Sequence, residues 1–103
     1  MSKKRTYKTK TEQRHLDRVV ALGCIVCRNE GLGESPAVIH HIRTGQGAGQ
    51  RSSHFETIPL CPAHHQFHGV GVSYHDCPKT WEMKYGTETD LLGQVLYELG
   101  GAK

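Results

Sequence analysis

A repeated spacing restricts the folds open to this chain more than any other feature. Cys24 and Cys27 are separated by two residues, and Cys61 and His64 repeat that separation. The two pairs offer three thiolates and one imidazole, a complete tetrahedral set for Zn²⁺ with no position left for water, which suits a structural ion. Closing the set brings the segment around residue 24 against the segment around residue 61. In a small domain the ion then contributes folding free energy directly.

The composition makes such a staple useful. The chain has 103 residues, 36% of them hydrophobic and 7% aromatic, with 12 glycines. That predicts a single domain whose core is near the lower limit of what folds unaided. No apolar run approaches the ~20 residues that cross a bilayer, and the basic N-terminus is not followed by an apolar signal core. The expectation is a cytoplasmic protein with reduced thiols, in which metal binding outranks disulfides. Cys77 can replace His64 as a fourth ligand in principle, but its distance from any partner cysteine reads as a free thiol.

Local signals order the rest. Thr9-x-x-Glu12 resembles a capping box, and Leu16, Val19 and Val20 share a helical face before Gly23, so a first helix delivers the chain to Cys24. Residues 24–27 read as a knuckle, and the β-branched run 37–42 after Pro36 as a strand. Residues 43–54 are loop. Thr57-Ile58-Pro59-Leu60 reads as a second strand whose proline suits an edge. Pro62 favours the first turn of a short helix reaching about His68, broken by Gly69 and Gly71. A final helical part begins near Pro78, halts at Gly86, restarts with Thr87 as cap and ends at Gly100-Gly101. Leu91, Leu92, Val95, Leu96 and Leu99 form its apolar stripe. The fold class expected is α+β, with a basic flexible arm at 1–10 and one domain at 11–103.

Eight histidines exceed what one zinc site uses. His40 and His41 end the first strand, and neighbouring strand residues point to opposite sides, so the two cannot do the same job. One can bind a metal while the other faces substrate. His65 and His68 follow His64 in the short helix. A divalent metal held by imidazoles with open positions can bind a scissile phosphate while a neutral histidine takes a proton from water, which is metal-assisted phosphodiester hydrolysis.

The string Cys24-x-x-Cys27, Ile39-His40-His41-Ile42 and Ile58-Pro59-Leu60-Cys61-x-x-His64-His65 resembles the HNH, or ββα-metal, nucleases with an embedded zinc knuckle. A narrower pattern is similar to the Ref-type phage recombination-enhancement nucleases, which depend on a RecA filament. It comprises His40-His41 with Arg43-Thr44, His54 ahead of Ile58-Pro59-Leu60-Cys61, His64-His65-Gln66, and His75 ahead of Trp81-Glu82 and Tyr85-Gly86-Thr87. The resemblance implies a zinc-stapled HNH domain with flanking helices that cleaves DNA with catalytic Mg²⁺ or Mn²⁺, in a bacterial host and encoded by a phage or prophage. It makes His41 the general base, and His40 and His65 ligands of the catalytic metal, with His75 completing that site. The middle Asn of HNH is absent: Glu56 stands near its place, and His54 is the narrower family's equivalent. His68 lies outside the pattern.

Charge is concentrated at one end. Residues 1–18 carry seven bases and two acids, whereas the remainder carries six bases and eight acids. Lys3, Lys4, Arg5, Lys8 and Lys10 form an arm suited to DNA phosphates. Arg43 and Arg51 flank a loop with Gly45, Gly47 and Gly49, which lacks the GxGxxG spacing and precedes a strand, so it reads as a phosphate contact or a plain solvated loop rather than a dinucleotide site. The main rival to a nuclease is a non-catalytic zinc-stabilised DNA- or protein-binding module with inert histidines. A toxin-like nonspecific nuclease would use the same chemistry but would usually need a delivery domain. Only 2 Phe and 1 Trp leave few platforms for base stacking.

Overall fold

The computed structural model describes residues 8–47 and 52–101. Lys3, Lys4, Arg5, Gly49 and Arg51 lie outside the described residues. Helix α1 (Lys10–Ala21) is fixed at its start by the capping box: Thr9 Oγ1 accepts from the Glu12 N–H at 3.1 Å, and Glu12 Oε1 accepts from the Thr9 N–H at 2.9 Å. Lys10 therefore belongs to the first turn of a helix, not to the arm expected at 1–10. Leu16 and Val19 face the core, but Val20 is 38% exposed, so the inner stripe is narrower than expected. Gly23 sits at φ +76, and a Cβ there would come within 3.1 Å of the Ser35 carbonyl. Only glycine both reverses the chain and lets this strap pass so closely.

The expected knuckle contains helix α2 (Ile25–Asn29), with Cys24 as its N-cap. Strands β1 (Val38–His41) and β2 (Thr57–Leu60) pair antiparallel, with Val38 opposite Leu60, Ile39 opposite Pro59, His40 opposite Ile58 and His41 opposite Thr57. In a two-stranded sheet both strands are edges, which is where a proline lacking an N–H is tolerated. Every residue of β2 is buried, and α1, α2 and helix α5 (Glu88–Leu96) pack on it.

Helix α3 (Pro62–His65) is shorter than expected. Gln66 is extended, Phe67 is left-handed at φ 68, and the His68 N–H donates to Ser73 Oγ at 2.8 Å. A side chain thus takes the donor that a further helical turn would have used. Ser73 Oγ in turn donates to the Ala63 carbonyl at 2.7 Å, tying the loop back to α3. A 3₁₀ turn (Tyr74–Asp76) and helix α4 (Pro78–Tyr85) follow; Gly86 breaks the chain at φ 109, and Thr87 caps α5 through the Asp90 N–H at 3.1 Å.

The core joins Val19, Ile25, Val26, Ile58, Leu60, Trp81, Leu91 and Val95 with the cysteines at 24, 27 and 61. Trp81 is its centre, with the rings of Tyr74 and Tyr85 at 5.2 and 5.4 Å. Complete burial of side chains of this size is worth roughly 1.5–3 kcal/mol each. Leu92 and Leu99 pack against this cluster as expected, whereas Leu96 is 38% exposed. The helix itself stops there, giving way to a π-type turn (Tyr97–Gly101) with Gly100 at φ 91. The architecture is α+β, as expected, and among the described residues no helix is long and apolar enough to cross a membrane.

Candidate active site and metal centres

The two paired motifs converge. Cys24 and Cys27 flank the start of α2, while Cys61 caps α3 and His64 lies one turn into it. The Sγ atoms of Cys27 and Cys61 are 3.8 Å apart, and His64 Nδ1 lies 3.6 Å from Cys24 and Cys27 Sγ and 3.2 Å from Cys61 Sγ. Tetrahedral zinc, with bonds of about 2.3 Å to sulfur and 2.05 Å to nitrogen, sets sulfurs about 3.8 Å apart and sulfur and nitrogen about 3.6 Å apart. The four donors therefore form a buried set that could hold an ion such as zinc. The Cys27 N–H also points at Cys24 Sγ, at 3.4 Å. Burial pushes the Cys24 thiol up to about 12, so a cation is needed to keep it as thiolate at neutral pH. Cys77 is outside this set: it caps α4 and donates its S–H to Thr80 Oγ1 at 3.3 Å.

A second cluster contains only imidazoles. His40 from β1, His65 from α3 and His75 from the 3₁₀ turn bring ligand nitrogens within 4.8 Å of one another. Their ring centroids are 5.3 Å (His40 to His65), 5.2 Å (His40 to His75) and 4.8 Å (His65 to His75) apart. Burial falls off across the set, from His40 at 2% exposure through a half-buried His65 to an exposed His75. Burial, followed by the neighbouring imidazoles, lowers His65 to about 4, and burial with His40 also lowers His75. Both rings are then neutral at pH 7 and present lone pairs. His68 is not a member; it is exposed, and its Nδ1 lies 3.1 Å from the Gln66 carbonyl.

Behind His40 stands a residue that the sequence did not single out. Glu88, on the first turn of α5, is fully buried, with Oε2 2.6 Å from His40 Nε2. Its carboxylate also accepts from the Arg43 N–H (2.8 and 2.9 Å), the Thr44 N–H (2.8 Å) and the Thr44 hydroxyl (2.8 Å). Burial by itself would raise this carboxyl; the bonds from His40, Arg43 and Thr44 overcome it and hold the group at about 2. In sequence Glu88 looks like an ordinary acid favoured near a helix N-terminus.

His41 faces away from this cluster, as strand alternation requires. Its Nε2 lies 2.9 Å from His54 Nδ1, so the loop before β2 fixes the direction of the ring. His54, not Glu56, takes the position beside His41; Glu56 contributes its carbonyl, which accepts from the Ile42 N–H and from Ser52 Oγ. Phe55 next to His54 packs on His15 of α1, with ring centroids 5.0 Å apart. Of the expected DNA contacts, Lys8 and Lys10 are exposed at the start of α1, and Arg43 is half-buried with Nη2 donating to the Gly47 carbonyl at 3.4 Å.

No curated protein matches the chain. The family model described as recombination enhancement, RecA-dependent nuclease aligns with residues 8–99, a span that contains both clusters and the His41–His54 pair. A match over nearly the whole length places the chain in that family: it belongs to the recombination-enhancement, RecA-dependent nucleases.

Proposed function

We propose that the chain is an HNH-type, ββα-metal endonuclease that hydrolyses DNA phosphodiesters, is stimulated by a RecA filament and acts in phage-associated recombination. The observation that carries this reading is the pairing, on adjacent residues of one strand, of a three-imidazole cluster open on one side with a histidine braced by a second histidine. In the proposal Cys24, Cys27, Cys61 and His64 hold structural Zn²⁺, and His40, His65 and His75 hold catalytic Mg²⁺ or Mn²⁺. When bound there, the divalent ion supplies Lewis-acid stabilisation of the charge on the scissile phosphate and the leaving oxygen.

The chain's own groups do the rest. His41 takes the proton of the attacking water, and His54 holds the His41 ring on line. The neutral state of His65 and His75 at pH 7 keeps them competent as ligands. Arg43 and the basic residues at the N-terminus meet phosphates and set affinity rather than chemistry. The test is incubation of the purified protein with DNA and Mg²⁺ or Mn²⁺, with and without a RecA filament. Metal-dependent cleavage that rises with the filament is expected. DNA binding without cleavage under every combination would point instead to a zinc-stabilised binding module.

A further inference from the structure

We infer that Glu88 is a positioning residue that fixes the tautomer and aim of His40 and ties that setting to the turn at Arg43 and Thr44. The inference rests on the reading of His40, His65 and His75 as a metal site. The Glu88 carboxylate already receives the Arg43 N–H, the Thr44 N–H and the Thr44 hydroxyl, so its oxygens are arranged as acceptors towards His40 as well. The proton in the 2.6 Å contact therefore belongs to His40 Nε2. In the neutral ring that leaves Nδ1 as the lone-pair nitrogen. Glu88 is not part of the group whose donor atoms lie within 4.8 Å of one another, so it backs His40 and does not compete for the ion. A carboxylate behind a ligating histidine orients the ring and raises its basicity.

The other oxygen does a second job. Glu88 Oε1 receives the Thr44 N–H, the Thr44 hydroxyl and a share of the Arg43 N–H. The chain leaving β1 is thus clamped by the same group that aims His40. Arg43, the loop's basic residue, starts from a point fixed relative to the imidazole cluster. One side chain from α5 joins three elements distant in sequence.

Substitution by Gln separates this role from simple packing. If the Gln carbonyl keeps the Arg43 and Thr44 donors, its NH₂ is left facing His40 Nε2 and must donate to it. The His40 proton is then displaced to Nδ1, the atom meant for the metal.

The experiment uses the full chain with zinc bound at the cysteine site. Two-bond ¹H–¹⁵N spectra of the histidine rings report the His40 tautomer, and Mn²⁺ uptake is followed by the loss of the free-ion electron-paramagnetic-resonance signal. In the wild type His40 is expected with its proton on Nε2. In Glu88→Gln the proton moves to Nδ1, and Mn²⁺ affinity falls by about 10- to 100-fold. Thr44→Val, which removes one donor from Oε1 and leaves the His40 contact, should keep both the tautomer and the affinity. If Glu88→Gln does not fold, the wild-type spectrum decides: a proton on Nδ1 with Glu88 intact overturns the inference, and one on Nε2 supports it. Equal Mn²⁺ uptake by wild type and folded Glu88→Gln overturns the positioning role alone. A wild type that takes up no Mn²⁺ overturns the metal reading and this inference with it.

Discussion

His64 and His65 are neighbours on one short helix, yet they belong to opposite kinds of site. His64 joins three cysteines in a set in which every member is buried; His65 joins two imidazoles in a set that opens to solvent at His75. The first has donors near the spacings of a tetrahedral ion and no side left for water, so an ion held there would contribute its energy to joining α2 and α3 to the sheet. The second is exposed at His75, the side from which a phosphate or water would reach an ion held there. A roughly 100° step between adjacent helical residues is enough to direct one imidazole into the buried cysteine set and the other into the cluster proposed as the catalytic metal site.

Substitution at the cysteines should have the largest effect. Cys61→Ser or Cys24→Ser should unfold the domain rather than only inactivate it, because each residue lies in the core and is a proposed zinc ligand. Zinc content and a thermal melt by circular dichroism check this. A metal-free Cys61→Ser protein with an unchanged Tm would show that the buried set is packing alone.

Next in size is His41. Its replacement by Ala should lower single-turnover cleavage by about two to four orders of magnitude, the usual range for removal of a general base, with Tm, zinc content and DNA affinity near those of the wild type. Cleavage at the wild-type rate would remove the assigned role. His40→Ala and His65→Ala should instead weaken metal binding, so raising Mn²⁺ should recover part of their activity and none of that missing in His41→Ala. If Mn²⁺ rescued all three alike, the strand would not divide its two histidines between metal and water.

A smaller effect follows from the lowered His65. In the folded state its pKa is about 4, against 6.5 for the free side chain, so only the unfolded chain gains that proton between these values. The stability at stake is fully present above pH 6.5 and is lost progressively as pH falls from 6.5 towards 4. Without metal at the imidazole cluster, wild-type Tm should drop over that window by more than the Tm of His65→Gln does. Equal drops would mean that His65 takes up its proton in the folded protein as it does in the unfolded chain, so that its surroundings do not hold the ring neutral below pH 6.5.

The convergence of Cys24, Cys27, Cys61 and His64 was legible in sequence because it is written as two local spacings, and the opposite facing of His40 and His41 because strand alternation is local too. The capping residues Thr9 and Thr87 were legible for the same reason. Features decided by partners far along the chain were not. Helix α3 stops at His65 because Ser73 captures the His68 N–H, and no helix-end signal stands at Gln66. Val20 and Leu96 have the chemistry of core residues but fall where, among the described residues, no element covers them fully. Glu88 was the largest omission: its partners are 44 to 48 residues earlier, and a lone acid at a helix start carries no hint of them.

The smallest expected effect on chemistry, though not on binding, concerns the basic N-terminus, and the position of α1 sharpens how to test it. Because Thr9 is the N-cap and Lys10 the first helical residue, removing residues 1–8 deletes Lys3, Lys4, Arg5 and Lys8 while sparing the capping box. Each phosphate no longer neutralised reduces the slope of log affinity against log salt by about 0.9 on duplex DNA, so removing all four bases would flatten it by at most about 3.6. The cleavage rate at saturating DNA should stay within a few fold of the full chain, since in the proposed reading these charges meet phosphates and leave the scissile bond to the histidines. Affinity measured at salt concentrations from about 50 to 200 mM for both proteins decides the matter. An unchanged slope would assign DNA capture to the folded surface around Arg43, and the contrast between a binding arm and a catalytic cluster would have to be redrawn within the domain itself.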